Sequence, residues 1–254
     1  MKILSSVLIC ILLSIPTMSY ADSSLEEIAQ KAFKYYSGDG VTQNYSKAIE
    51  LYVKAAEKGH AESQLNLGII YDQGIAIAED NQKALFWYKK AAQQNHPKSF
   101  HNIALMYQEG KGVKVDKAIA ADWYQKAIEQ GNTDSLLNLA LLNLNGDGIA
   151  KDSKIAFNLL QRAVDEGDLE AENYFALLYL NGNGVKKNLP KGIAHLESAA
   201  EKGVASAQHN LGKRYLSDED GLVQDVKKAK YWFQQATDQG VEESKEALIL
   251  LKDF

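Results

Sequence analysis

One spacing limits what this chain can fold into more than any other feature. Tyr35, Tyr71, Tyr107, Asn143, Tyr179 and Tyr215 follow one another at intervals of 36 residues. Three residues before each stands a small one: Ala32, Gly68, Ala104, Ala140, Ala176 and Gly212. One position earlier come Lys31, Leu67, Ile103, Leu139, Phe175 and Leu211. Offsets of three and four put these residues on one helical face, and the small position lets a neighbouring helix approach closely. This recurring helix is termed A.

Each tyrosine position is followed by a break. Gly38-Asp39-Gly40, Gly110-Lys111-Gly112, Gly146-Asp147-Gly148 and Gly182-Asn183-Gly184 end helix A and turn the chain, because glycine takes positive φ cheaply. The second repeat is looser, with Gly74 and Ala76. The sixth reads Asp218-Glu219-Asp220-Gly221 and carries one extra residue. These are helix stops; a phosphate loop needs a strand before it and a Lys-Ser/Thr after it.

A capping residue then recurs at Asn44, Asp80, Asp116, Asp152, Asn188 and Asp225. Asp and Asn accept a free backbone N–H at a helix start, so a second helix, B, begins after each. Helix B has its own small residue at Ala48, Ala84, Ala120, Ala156, Gly192 and Ala229, and a large apolar one at Tyr52, Tyr88, Tyr124, Leu160, Leu196 and Phe233. Gly59, Gly131, Gly167, Gly203 and Gly240 stop it, with Asn95 as substitute.

One helix pair cannot bury its apolar face alone; stacked pairs can, giving a one-dimensional array. Six pairs fit between about Leu25 and Val241, and Glu242 to Phe254 offers Leu248, Ile249 and Leu251 as a capping helix. The strings "AESQLNLGIIYDQG…DNQKALFWYKKAAQQN" and "ASAQHNLGKRYLSDEDG…DVKKAKYWFQQATDQG" resemble the Sel1-like repeat family, relatives of the tetratricopeptide repeats. The resemblance covers essentially the whole chain after its first segment. It implies an all-α, right-handed superhelical solenoid of helix-turn-helix repeats, a concave binding face, and adaptor or scaffold roles.

That first segment, MKILSSVLICILLSIPTMSYA, has Lys2, an apolar run from Ile3 to Ile15, the breaker Pro16 and small residues at Ser19 and Ala21. The run is shorter than the about 20 residues that span a bilayer. It reads as a secretory signal peptide over residues 1–21, cut after Ala21, leaving the solenoid as 22–254 in the periplasm or outside the cell, without stable membrane insertion. Cys10 is the only cysteine, so the exported chain holds together by packing without disulfides. Removing the one positive charge of Lys2 takes the formal charge from −5 to −6. Such an acidic protein has no electrostatic case for nucleic acid or anionic lipid.

The expected partner is a protein or peptide. On helix A, the position before the apolar residue reads Gln30, Asn66, Asn102, Asn138, Tyr174 and Asn210, nearly a ladder of amides. Amides carry donors and acceptors and can bond the backbone of an extended peptide whatever its sequence. They can equally bond neighbouring loops and orient adjacent repeats, and both readings stand at this point. Leu137, Leu141, Leu144, Tyr174, Leu177 and Leu180 would form an apolar patch, flanked by His101 and His209, with Lys213 in the aliphatic position of Leu105 and Leu141. An exposed apolar patch with a polar rim marks an interaction site; packing of these leucines in the core is the alternative.

Catalytic patterns are missing from the sequence. There is no Gly-x-Ser-x-Gly, no Ser-x-x-Lys after the leader, and no cysteine nucleophile. His60-Ala61-Glu62 lacks the Pro-Cys-x-x-Cys of zinc deaminases. His96 and His101 are five apart, off the one-face spacing of His-Glu-x-x-His. His195 stands at a helix-B core position and reads as a packed histidine. No metal or cofactor is expected. The resemblance raises one alternative, since some cysteine-rich secreted Sel1-repeat proteins are assigned β-lactamase-like or cell-wall-fragment-binding activity. This chain lacks their cysteine pair and the serine-lysine chemistry; turnover of a chromogenic β-lactam would revive the idea.

Overall fold

The computed structural model describes residues 20–217 and 223–252. The expected leader lies outside the described residues except for Tyr20 and Ala21, which open the first helix. The sixth glycine break, at 218–221, also lies outside them. Among the described residues there are thirteen α-helices and no strand. The A helices are α1 (Tyr20–Ser37), α3 (Ala61–Gln73), α5 (Pro97–Glu109), α7 (Ser135–Asn145), α9 (Leu169–Asn181) and α11 (Ala205–Leu216). The B helices are α2 (Tyr45–Ala56), α4 (Asn81–Ala92), α6 (Lys117–Glu129), α8 (Ser153–Asp165), α10 (Leu189–Glu201) and α12 (Val226–Asp238). The half-repeat α13 (Glu242–Leu250) follows.

The local signals act where the spacing places them. All six caps accept a backbone N–H three residues on, as at Asn44 from Lys47 and Asp116 from Ile119, both 3.0 Å. Each cap's own N–H donates to the carbonyl of the tyrosine position, as from Asp80 to Tyr71 and Asp152 to Asn143, both 2.9 Å. This bond closes the loop between the two helices. A lysine two to three residues into helix B then lies over the tyrosine ring: Lys47 over Tyr35 at 4.6 Å, Lys191 over Tyr179 at 5.5 Å, Lys228 over Tyr215 at 5.1 Å. In the third and fourth repeats the lysine is replaced by Ile119 and Ile155.

The chain divides into two compact units, Met1–Leu67 and Gly68–Phe254. In the first, α1 packs on α2, with Ala29, Ala32, Ala48 and Tyr52 buried. In the second, each helix from α4 to α13 packs on its neighbours in the chain, and α9 also touches α11. The small residues serve close approach. A Cβ on Gly68 would collide with the Tyr88 ring, and one on Gly212 would lie 2.8 Å from the Phe233 ring.

The second glycine of the breaks after α5, α7 and α9 has a reason the repeat unit alone does not reveal. At Gly148 a Cβ would stand 2.7 Å from the backbone of Lys117 and Ala118, at the start of the preceding repeat's helix B. Gly112 and Gly184 meet Asn81 and Ser153 in the same way. In the looser second repeat Ala76 still adopts φ 58°, so a conformation suited to glycine is kept with a methyl group in it.

Two expectations change. Leu180, placed in the exposed patch, is 1 % exposed, and its side chain fills the space left by Gly192. It is core, because helix A packs on more than one side. Ile249, expected to cap the array with Leu248 and Leu251, points outward at 55 % exposure while those two pack on the core.

Candidate binding face of the A helices

In the first unit, a cavity of about 380 Å³ lies among α1, α2 and the start of α3. Gln30 and Asn66, the first two members of the amide position, both line it. So does Phe33, which holds in repeat one the position of Leu105, Leu141 and Leu177. Tyr52 contributes at 2 % exposure, its hydroxyl pushed upward in pKa by burial and hence neutral. Glu26, Lys34, Asp39, His60 and Glu62 add charged and titratable groups.

Glu26 is oriented. Gln30 Nε2 donates to it at 3.0 Å and His60 Nε2 lies 3.1 Å away. The Ser63 N–H donates to His60 Nδ1 at 3.2 Å, so Nδ1 is the accepting nitrogen and Nε2–H faces the carboxylate. The hydrogen bond from Gln30, then that from His60, hold the Glu26 carboxyl below its ordinary value.

In the second unit the predicted residues divide. Asn102 bonds the Tyr88 hydroxyl, which donates to Asp72 Oδ2 at 3.4 Å, joining α5 to α4 and α3. Asn210 donates to Asn173 Oδ1 at 3.0 Å, and Asn173 donates to Ser206 Oγ at 3.0 Å, joining α11 to α9. His101 Nδ1 meets Ser135 Oγ at 2.8 Å, and His209 Nδ1 meets Ser244 Oγ at 2.8 Å. Ser135 Oγ also donates to Asn132 Oδ1 at 2.7 Å, so it accepts from a His101 Nδ1–H. Burial lowers the pKa of both histidines; Lys213 adds to the effect at His209, and nearby Asp134 and Glu243 oppose it.

Asn138 differs. It is half-buried and donates to the Asp134 carbonyl of its own approach turn, at 3.3 Å. Leu141 is half-buried too, and neither hydrophobic core cluster includes it. Leu137, Leu144 and Tyr174 are half-buried against one core cluster and Leu177 against the other. His195 is packed as expected, edge-on to Phe175 at 5.1 Å, with Nδ1 3.3 Å from Glu172. Glu172 is 8 % exposed. Burial pushes its pKa upward, but hydrogen bonds from His195, Lys202 and Ser198 outweigh that, and the net shift is downward.

The buried serines are what sequence reasoning missed. Ser63, Ser99, Ser135 and Ser244 are fully buried and occupy one repeat position, shared with Ala171 and Ala207. Their regular spacing and small size were the available signal. Among the described residues no group of three or more His, Cys, Asp or Glu could hold a metal, and no helix is long and apolar enough to cross a membrane.

Comparison with known proteins fits this geometry. The Sel1 repeat family matches residues 32–60, 61–96, 101–132, 133–168, 169–204 and 205–241. The chain belongs to the Sel1 repeat family. It is similar to c5321, a protective antigen of uropathogenic Escherichia coli, with TM-score 0.80 and 28 % identity over 92 % of this chain and 50 % of that one. It thus spans half the length of that relative. It is also similar to a Sel1 repeat protein from Oxalobacter formigenes, with TM-score 0.75 and 28 % identity over 86 % of this chain and 88 % of that one. Immunity protein PA5088 from Pseudomonas aeruginosa shares the fold, at TM-score 0.51 and 22 % identity over 88 % of this chain and 83 % of that one. No curated protein matches the chain. Members of this family serve as scaffolds for protein–protein interaction.

Proposed function

We propose that the chain is an exported scaffold that holds an extended protein segment along the outward positions of its A helices. One observation carries this reading. Gln30 and Asn66, from the amide position, and Phe33, from the aliphatic position, line one cavity in the first unit. Those two repeat positions are the pair expected from sequence to face a ligand. Asn138 and Leu141 are their half-buried counterparts in the second unit. Recognition is by shape, hydrogen bonding and apolar contact. The leader at residues 1–21 supports residence in the periplasm or beyond, and the likeness to a protective antigen fits that location.

Photo-crosslinking in the native cell tests the reading, with the reactive residue at Leu141 and a control at Lys126 on helix B. One or two defined proteins joined from Leu141 and not from Lys126 are the expected result. Equal labelling from both positions, or no protein adduct from Leu141, would defeat it.

A further inference from the structure

The first unit's cavity combines an aromatic wall with carboxylates. Phe33 is 56 % exposed, and its counterparts Ile69, Leu105, Leu141 and Leu177 are aliphatic. The buried Tyr52 also lines the cavity. Glu26, Asp39 and Glu62 contribute three carboxylates against the single ammonium of Lys34. Glu26 and Glu62 occupy the same repeat position on successive A helices, which reads Lys98, Asp134, Glu170 and Ser206 in the later repeats. One of these carboxylates is held in place by Gln30 and His60, as described above.

We infer that this cavity is a subsite for a basic side chain, arginine or lysine, of the segment the scaffold holds. The inference rests on the scaffold reading and adds the chemistry of the partner. An arginine suits the site on three counts. Its aliphatic stem lies along apolar surface, its planar head stacks on an aromatic ring, and its N–H groups match a carboxylate fork. The cavity is large enough to take a whole side chain, and Gln30 and Asn66 in its lining can offer amides to the backbone that carries that side chain. An acidic segment would meet three like charges there, which disfavours it.

A display library of random dodecapeptides, selected on the full chain, tests this directly. The selected pool should be enriched in arginine and lysine by about threefold over the input, and the enrichment should vanish on the Glu26→Gln/Glu62→Gln variant. The best arginine peptide should bind about tenfold more weakly when that arginine is replaced by neutral citrulline. Glu62→Gln/Asp39→Asn is made as a second variant that leaves the Glu26 hydrogen bonds to Gln30 and His60 intact, and both are checked by thermal melting. It should show the same loss of preference. Peptides selected without basic enrichment, yet weakened by Asn138→Ala, would overturn the cationic subsite and leave the scaffold reading standing. A selection that yields no peptide above background would overturn both.

Discussion

The first unit and much of the second use the same repeat position differently. In Met1–Leu67, the amide position at Gln30 and Asn66 opens on a cavity. In Gly68–Phe254, Asn102 and Asn210 join one repeat to the next, and the adjacent His101 and His209 do likewise through Ser135 and Ser244. Repeat proteins are stabilised by nearest-neighbour interfaces. A half-buried amide on helix A can serve the interface or the ligand. The comparison shows that a shared sequence position does not imply a shared role.

The largest test of the interface side uses glycine. Gly184 has φ 70° and its Cβ would meet the Ser153 carbonyl, whereas Gly167 has φ 88° with open space around it. Gly184→Ala should destabilise by about 3 kcal/mol or more, and Gly167→Ala by about 1 kcal/mol, read from urea unfolding. Equal losses would mean that the packing of each break on the preceding helix B contributes nothing.

Smaller effects concern polar ties. Asn102→Ala removes a hydrogen bond to the Tyr88 hydroxyl and should cost about 1 kcal/mol, whereas Asn138→Ala should change stability little. The cap variant Asp116→Ala should also cost about 1 kcal/mol. The histidines predict a pH dependence. Both have folded-state pKa values below the ordinary 6.5, so the unfolded chain binds more protons near and below that pH. Their contribution is therefore complete above pH 6.5 and is lost as pH falls through the depressed values. Thermal melts from pH 7.5 to 5.5 should show falling stability, with a flatter profile for His101→Gln/His209→Gln. An unchanged slope in that variant would remove the histidines from the account.

Most of the fold was legible because its determinants act within one repeat. The caps at Asn44 and Asp116, the stops at Gly59 and Gly131 and the small residues at Ala32 and Ala104 need only their own helix or the next. What escaped the sequence depends on contacts about one repeat away. Ser135 looks like any small polar residue until His101 reaches it, and Gly148 looks like part of a turn until Lys117 lies beside it. Leu180 escaped although its partner lies in the same repeat: it reads as outward-facing until the space over Gly192 shows where it goes. The amide position was ambiguous from sequence for the same physical reason: both uses need the same side chain at the same place.

One paired measurement separates the two uses. Asn66→Ala and Asn102→Ala are each compared with the unaltered chain for melting temperature and for affinity toward a peptide selected on that chain. Asn66→Ala should lose affinity with its melting temperature unchanged. Asn102→Ala should melt lower and, while folded, bind as the unaltered chain does. The opposite pattern, with Asn66→Ala melting low and Asn102→Ala losing the peptide, would contradict the division of roles between Asn66 and Asn102.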